Sequence, residues 1–480
     1  MTILSLDLGT TTITGVLWGG EPAGVLRLAR RRNDAGLDMY SPHRVEQDPR
    51  RLYALALEVL TELAAGAGDG GSGPPRALAL TGQMHGLLCA DAAGEALGPL
   101  ITWQDRRTAE PLTEGATVMD HLQARVADLD WHTNGCRIHH GYGAATLFWL
   151  SSHDGVPPGT GQVSTLAGWL AGRLAGQFPA IDPSFAASWG LYDLRNGRWN
   201  EAFLERLGID RGLLPNVHAG AEPLGQLLPA VARRTGLPVG LPVLNPVGDN
   251  QAAYLGSTWA PGAGGEPGLA TPPILVNLGT GGQVCWAVPA FEQPGEAVET
   301  RPLPGPPGST AAGPGFLRVG ASLCGGAAYA WLERTVRTWL ADFGLKIDAG
   351  EVYARLNALA ATCDDTQGLW VRTTFLGTRD NPEIEGGAIG GITLGNMALG
   401  ALARATLAGI VEEVYGLYAA HGGAEAAAGH VIASGGAVER NPLMVTLIGQ
   451  RFGAVARPAP WPEPAAVGAA VLAAAALARR

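Results

Sequence analysis

Two segments of the chain alternate apolar residues with small or polar ones in the same pattern. Residues 3–18 predict a strand, a turn at Gly9 and a second strand, and residues 274–288 predict the same three parts. LDLGT in the first segment aligns with VNLGT in the second. Because each copy opens one half of the chain, the repeat favours a gene duplication.

The longer apolar patterns are helical. Residues 50–65, 326–343 and 397–418 carry apolar positions at helical spacing, and shorter runs at 77–81 and 241–244 predict strands. Strands alternating with helices in both halves indicate an α/β architecture. Residues 261–273 have the Gly and Pro content of a linker, so we expect two domains, at 1–256 and 257–480.

Composition narrows the class of protein. Of the 480 residues, 46% are hydrophobic and 16% are charged, which argues against disorder. A net charge of −10 gives no basis for nucleic-acid binding. The apolar run at 465–478 is too short to cross a bilayer, and we expect it to be a packed helix. Five widely spaced cysteines and a start without a signal-peptide pattern favour the cytoplasm.

Three glycine-rich turns offer backbone groups to a ligand. The turn DLGTTT at 7–12 has N–H groups and hydroxyls that can bind phosphate oxygens. It also has a carboxylate that can hold Mg²⁺ through water. GTGG at 279–282 offers the same N–H groups, and SGGA at 434–437 allows a close approach to the backbone. Each turn also fits an ordinary tight connection. No P-loop exists, because the single lysine, Lys346, follows a leucine.

Polar residues also follow predicted strands. Asp249 precedes a helical pattern, so it is either a helix cap or a general base. TGQMHG at 81–86 stands where open α/β sheets bind ligands, although its histidine could simply be buried. TWQDRRT at 102–108 provides an aromatic face and hydrogen-bonding groups for a polyhydroxylated ligand, or forms a surface charge cluster.

The ordered set DLGTTT, TGQMHG, TWQDRRT, GDNQ, NLGTGG and ASGGAVERNP resembles the FGGY carbohydrate kinases over nearly the whole chain. The resemblance implies a two-domain α/β fold of the actin/hexokinase (ribonuclease H-like) type, with ATP and sugar in the interdomain cleft. It also implies transfer of the ATP γ-phosphoryl group to a sugar hydroxyl with Mg²⁺, and either a monomer or a homodimer.

Within the family, GQMHG resembles the ketose-specific branches. HGYGAATLFW at 140–149 and ASWG at 187–190 resemble sedoheptulokinases more than xylulokinases. We therefore expect a sedoheptulose kinase. A xylulokinase and a non-catalytic ATP-binding switch of the actin or chaperone type are the alternatives.

The resemblance assigns roles by matching position. Asp249 is implied to be the general base, and the cation is expected at Asp7, through water, and Asp249. The implied sugar-binding residues are Gln83, Met84, His85, Trp103, Asp105 and Asn250. The implied ATP-binding residues are Gly9, Thr10, Thr11, Thr12, Gly279, Thr280, Gly281, Gly326, Gly435, Gly436 and Asn441.

Overall fold

The protein consists of two α/β halves, each with its own hydrophobic core. The computed structural model describes residues 1–20, 24–38, 41–65, 73–178, 180–258, 272–305, 315–378, 386–422 and 429–478. Within these ranges, no helix is long and apolar enough to cross a membrane.

The N-terminal half is built on a seven-stranded mixed sheet. The strand Ile3–Leu8 pairs antiparallel with Thr12–Trp18 on one side and parallel with Leu78–Gly82 on the other. Six strands run across the sheet in the order Pro223–Gln226, Pro242–Leu244, Leu78–Gly82, Ile3–Leu8, Thr12–Trp18 and Val25–Arg32. The seventh, Val247–Gly248, pairs with Leu78–Gly82 in line with Pro242–Leu244.

The C-terminal half repeats this arrangement. Its six strands run in the order Val298–Pro302, Phe316–Ser322, Gly282–Val288, Ile274–Leu278, His430–Ser434 and Val455–Pro458. In both sheets the first strand of a hairpin is central, and it pairs antiparallel with the second hairpin strand on one side and parallel with another strand on the other. The shared order supports the duplication predicted from the repeated sequence.

Helices cover the sheets, and short two-stranded ribbons extend the loops. The helices are Pro49–Ala64, Val118–Val126, Gly143–Ser151, Leu166–Ala175, Pro183–Ser188, Glu201–Leu207, Pro229–Thr235, Asp249–Thr258, Gly326–Asp342, Ala349–Ala361, Leu399–Ala420, Gly436–Arg440, Leu443–Phe452 and Pro464–Ala478. The ribbons pair Glu46–Gln47 with Leu100–Ile101, Leu88–Ala90 with Gln162–Ser164, Pro111–Thr113 with Ala116–Thr117, Tyr192–Asp193 with Arg198–Trp199, and Trp370–Arg372 with Ala388–Gly390.

Two helices lie between the halves. Asp249–Thr258 and Pro464–Ala478 belong to a third core cluster that takes strand residues from both sheets. They approach so closely that a side chain at Gly468 would overlap the carbonyl of Ala252. Glycine is required at such a crossing because it has no Cβ.

The predicted elements agree with the structure to within two residues at their ends. Both predicted hairpins and the packed C-terminal helix are present. The predicted domain division after residue 256 falls inside the helix Asp249–Thr258. Most of the predicted linker, residues 261–271, lies outside the described residues.

Candidate active site

The turn of the first hairpin is attached to two of the predicted sugar-binding segments. The indole Nε1 of Trp103 donates to Thr10 Oγ1 at 2.8 Å, and Thr10 Oγ1 lies 3.4 Å from Gln83 Oε1. Gln47 completes the network, because it donates to the Thr10 carbonyl and accepts from Gln83 Nε2. Gln83 is buried in this network, whereas 44% of the Trp103 surface is exposed. Trp103 therefore has a face available for a ligand, and Gln83 mainly positions the turn.

Asp7 and Asp249 are two carboxylates that line the same cavity between the halves. Asp7 is the penultimate residue of the central strand Ile3–Leu8, and Asp249 begins the helix Asp249–Thr258. Desolvation raises the pKa of Asp7 well above its usual range, and the negative charge of Asp249 raises it further. Asp7 Oδ1 is buried and has no hydrogen-bond partner among the described residues.

The environment of Asp249 suits a proton acceptor near neutral pH. Desolvation raises the pKa of Asp249 to about 7, although the backbone N–H of Asn250 and the charge of Arg301 act in the opposite direction. A carboxyl group with a pKa near 7 can take up a proton from a substrate and release it afterwards. Asp249 is the first residue of the helix, so its carboxylate lies at the helix N-terminus.

Asn250 also contributes an uncommitted polar atom. Its Nδ2 donates to Gln283 Oε1 across the cleft at 3.2 Å, while its buried Oδ1 has no partner within the described chain. Beside it, Met84 is buried, and a Cβ at Gly248 would lie only 2.9 Å from the Met84 sulfur. Met84 therefore supports the start of the helix that carries Asp249.

His85 has a constrained backbone. Its φ is 69°, in the left-handed region that few non-glycine residues occupy. The carbonyl of Ser188 lies 2.7 Å from its Nδ1, and Ser188 Oγ accepts from its backbone N–H. The imidazole stacks on Tyr142 with 4.2 Å between ring centroids. The surroundings thus hold the ring of His85 in one orientation.

Asp105 does not fit its predicted role in sugar binding. Its carboxylate accepts from the Val45 backbone and from the backbone and guanidinium of Arg107, and its surface is only 1% exposed. A sugar hydroxyl would have to displace these stronger, charge-assisted bonds. The prediction is therefore corrected: Asp105 positions the segment that carries Trp103.

A cavity of about 870 Å³ joins the two carboxylates to the C-terminal half. Asp7, Asp249 and Asn250 line it from one side, and the turn at Gly435 lines it from the other. Arg30 is the one lysine or arginine among the described residues lining it, and it pairs with Glu463 at 2.5 Å. The lining of this cavity thus carries acidic side chains and one cationic side chain.

A second cavity, of about 760 Å³, lies wholly in the C-terminal half. It lies among helices and glycine-rich turns and has the side chains of Tyr329 and Tyr353 in its wall. The predicted ATP-binding residues that line it are Gly279, Thr280, Gly326, Gly436 and Asn441. Asn441 Nδ2 donates to Asn357 Oδ1 at 3.0 Å, which fixes one side of this cavity.

The glycine turns between the cavities are closely packed. Gly435 has a φ of 93°, and a Cβ there would lie 2.6 Å from the Leu278 carbonyl oxygen. A Cβ at Gly326 would lie 2.7 Å from the carbonyl of Gly279, and Gly326 donates to that same oxygen. A Cβ at Gly281 would lie 2.9 Å from the carbonyl oxygen of Ser322 on the neighbouring strand, and a Cβ at Gly9 would lie 2.8 Å from that of Thr12 across its own turn. Neither Gly9, Thr11, Thr12 nor Gly281 lines either cavity; they form the two hairpin turns beside them.

Sequence reasoning missed a polar group on the C-terminal side of the site. Tyr142 Oη donates to Glu299 at 2.6 Å, and Glu299 pairs with Arg301. Tyr142 lies within a segment that sequence analysis singled out, but no motif surrounds Glu299 or Arg301. The alternation of the strand Val298–Pro302 is the signal that could have placed both side chains on one face.

Comparisons with known proteins identify the fold and the family. The N-terminal domain of the FGGY family of carbohydrate kinases matches residues 2–256, and its C-terminal domain matches residues 276–477. The mouse (Mus musculus) sedoheptulokinase is 27% identical, with 94% of this chain and 92% of that protein covered. The glycerol kinase of Thermus brockianus is 30% identical, with 98% and 88% covered.

Among solved structures, the xylulose kinase from Rhodospirillum rubrum superimposes with a TM-score of 0.80 at 24% identity, covering 99% of this chain and 89% of that one. This likeness confirms the two-domain α/β fold of the sequence analysis. The two matched domains together extend over most of the chain, from residue 2 to residue 477. The protein therefore belongs to the FGGY family of carbohydrate kinases.

Proposed function

We propose that the protein transfers the γ-phosphoryl group of ATP to the terminal hydroxyl of a ketose, with sedoheptulose as the first candidate. The observation that carries the proposal is the pair Asp7 and Asp249 in the cleft, beside a separate cavity lined by predicted nucleotide-binding residues. The choice of sugar is supported by the segments at 140–149 and 187–190 and by the similarity to mouse sedoheptulokinase. D-Xylulose is the alternative substrate.

In this proposal, Asp249 is the general base. It orients the acceptor hydroxyl and takes up its proton, and its raised pKa keeps the proton affinity close to the working pH. The uncommitted Oδ1 of Asn250 accepts from a second sugar hydroxyl. His85 and the exposed face of Trp103 bound the sugar, and Met84 supports Asp249 from behind.

The nucleotide occupies the C-terminal side. Adenosine lies in the cavity lined by Gly326, Gly436 and Asn441, and Gly435 lets the phosphates pass towards the cleft. The two hairpin turns, residues 9–12 and 279–281, donate N–H groups to the phosphate oxygens. Closure of the two halves excludes water and limits wasteful hydrolysis of ATP.

The residues also fit Mg²⁺. Asp7 has a buried oxygen without a partner among the described residues, and the nearby Asp249 adds a second negative charge. Two carboxylates with room for water match a cation that dehydrates reluctantly. When bound, Mg²⁺ supplies positive charge to the phosphate oxygens. Asp7 and Asp249 would hold the cation. We propose that the protein acts in the cytoplasm, where MgATP is available.

The first experiment measures ADP release with MgATP and sedoheptulose, D-xylulose, D-ribulose, glycerol or no sugar. We expect kcat/KM to be highest with sedoheptulose. A preference for D-xylulose would keep the mechanism and change the substrate. ATP turnover that is the same with every sugar and without sugar would contradict the kinase and favour the ATP-binding switch.

The second experiment replaces Asp249 by asparagine. Because Asp249→Asn removes the base but keeps the shape of the side chain, we expect kcat to fall by about 10²–10⁴ while the sugar still binds. Rapid-quench turnover and sugar-induced thermal stabilisation are measured on the same preparation. Undiminished turnover would remove Asp249 from the mechanism.

A further inference from the structure

One strand of the C-terminal half reaches the sugar side of the N-terminal half. Thr300, in the strand Val298–Pro302, donates its backbone N–H to the carbonyl of Gly135 at 2.9 Å. Gly135 has a φ of 76°, and any side chain there would overlap the Thr300 carbonyl. The two backbones are therefore in direct contact, and side chains beside Thr300 lie at the boundary between the halves.

Glu299 and Arg301 flank Thr300 and lie on the same face of the strand. They form an ion pair with each other, and Glu299 also accepts from Tyr142 Oη at 2.6 Å. Tyr142 stacks on His85. A continuous chain of contacts thus runs from the sugar-binding segment of the N-terminal half to Arg301.

Arg301 is buried but incompletely paired. Its surface is 5% exposed, and its Nη1 has no hydrogen-bond partner among the described residues. A buried cation with an unsatisfied donor costs folding free energy unless a ligand satisfies it. Glu299 compensates the charge but leaves the Nη1 hydrogens available.

Arg301 also lies near the base. The positive charge of Arg301 acts on the Asp249 carboxylate. The helix that starts at Asp249 is attached to the same strand, because Gln251 Nε2 donates to the Pro302 carbonyl at 3.2 Å. These contacts join the strand that carries Arg301 to the helix of Asp249 and, through Glu299 and Tyr142, to His85.

We propose that Arg301 is a sugar-binding residue whose Nη1 donates to an oxygen of the ketose, while Glu299 and Tyr142 hold the guanidinium in place. This inference rests on the proposed function, because it assigns a further contact to the same substrate. It makes the sugar a bridge between the halves: the N-terminal half provides His85 and Trp103, and the C-terminal half provides Arg301. Binding of the sugar then favours the arrangement in which Asp249 faces the phosphate donor.

The test uses Arg301→Lys, which keeps the charge beside Glu299 but removes the guanidinium fork. Because a hydrogen bond from a charged donor is lost, we expect KM for the sugar to rise roughly 10- to 100-fold. We expect KM for ATP, and the ATP hydrolysis seen without sugar, to change less than about twofold. All measurements use the full-length protein and the sugar that the wild-type enzyme phosphorylates best.

Two further variants make the result decisive. The double variant Glu299→Gln/Arg301→Gln removes both charges together and therefore leaves no unpaired buried charge. It replaces Arg301→Lys in the test if that variant does not fold. Arg137→Gln is the matched control, since Arg137 pairs with Glu296 at 2.6 Å across the same boundary but is exposed. We expect this control to keep the KM values of the wild type.

The outcomes separate this inference from the proposed function. Failure of the wild-type protein to phosphorylate any sugar would overturn both. Wild-type turnover together with an unchanged sugar KM in a folded Arg301 variant would overturn only the role of Arg301. Two other outcomes would likewise overturn the role of Arg301: an equal rise of the KM for sugar and for ATP in the Arg301 variants, or the same rise of the sugar KM in Arg137→Gln. In either case the strand Val298–Pro302 would act only on domain closure.

Discussion

At the scale of single residues, the surroundings of two aspartates decide what each can do. Asp105 is saturated by Arg107 and by the Val45 backbone, so it serves as a fixed support. Asp249 is desolvated, and its pKa is raised to about 7. Both residues stand in motifs that resemble the same family, but the motifs do not distinguish a paired carboxylate from an available one.

The raised pKa predicts how activity depends on pH. Asp249 can accept a proton only when it is ionised, so kcat/KM for the sugar should be half its plateau value near pH 7 and fall about tenfold per unit below it. The measurement is kcat/KM between pH 5.5 and 8.5 at saturating MgATP. The residual rate of Asp249→Asn is the control and should lack this transition. A wild-type profile that is flat from pH 6 to 8 would contradict the assignment.

At the scale of elements, three neighbouring strands place polar side chains in one row across the sheet. Asp7 pairs with Thr14 on the adjacent strand, and Thr14 pairs with Arg30 on the next. Directly paired residues share a face of the sheet, so Asp7 and Arg30 are roughly 10 Å apart at their Cα atoms. Both line the larger cavity.

This row predicts that Arg30 contributes to ATP binding. The cavity lining contains four carboxylates but only this one cation among the described residues, and a polyphosphate needs positive charge. We expect Arg30→Gln to raise KM for ATP about tenfold, with a small change in KM for the sugar. Steady-state kinetics at constant free Mg²⁺ measure both.

The neighbouring residue provides the control for Arg30. Arg31 points to the opposite face and pairs with Glu58 and Glu62 of the helix Pro49–Ala64. Arg31→Gln should therefore leave both KM values unchanged. If Arg30→Gln and Arg31→Gln raise the KM for ATP equally, the effect comes from general surface charge, and the predicted contact between Arg30 and ATP is wrong.

Individual elements could be predicted because their causes are local. The hairpin Ile3–Leu8 with Thr12–Trp18 follows from alternation and a glycine turn, and the helix Pro49–Ala64 follows from apolar spacing. Contacts between residues that are far apart in the sequence could not be predicted in this way, because no local pattern indicates them. The hydrogen bond from Tyr142 to Glu299 joins residues 157 positions apart, and nothing near either residue indicates its partner.

At the scale of the whole molecule, the crossing of two helices fixes the relation between the halves. Asp249–Thr258 carries the proposed base at its first residue, and Pro464–Ala478 packs against this helix where Gly468 meets Ala252. Any added atom at this crossing separates the backbones. The position of Asp249 in the cleft thus depends on a contact distant from the chemistry.

We therefore expect Gly468→Val to lower both stability and kcat. Overpacking should reduce the free energy of unfolding by about 1–3 kcal/mol, and the shift of the Asp249 helix should slow turnover more than it weakens ATP binding. Urea unfolding and steady-state kinetics measure the two effects. Ala475→Val is the control, because Ala475 is half-buried on the same helix and outside the third core cluster. Unfolding free energies that agree between Gly468→Val and wild type would contradict the close crossing.

The same C-terminal helix has a consequence for synthesis on the ribosome. It covers one face of the N-terminal sheet, and Ser5 Oγ donates to the Ala466 carbonyl across 461 residues of sequence. At about 5–20 residues per second, the second partner emerges roughly 25–90 s after the first. During that time the part of the N-terminal sheet that the helix Pro464–Ala478 covers lacks this packing partner. Translation speed and chaperone access in this interval should therefore influence the yield of folded protein more than they would for a chain whose halves mature independently.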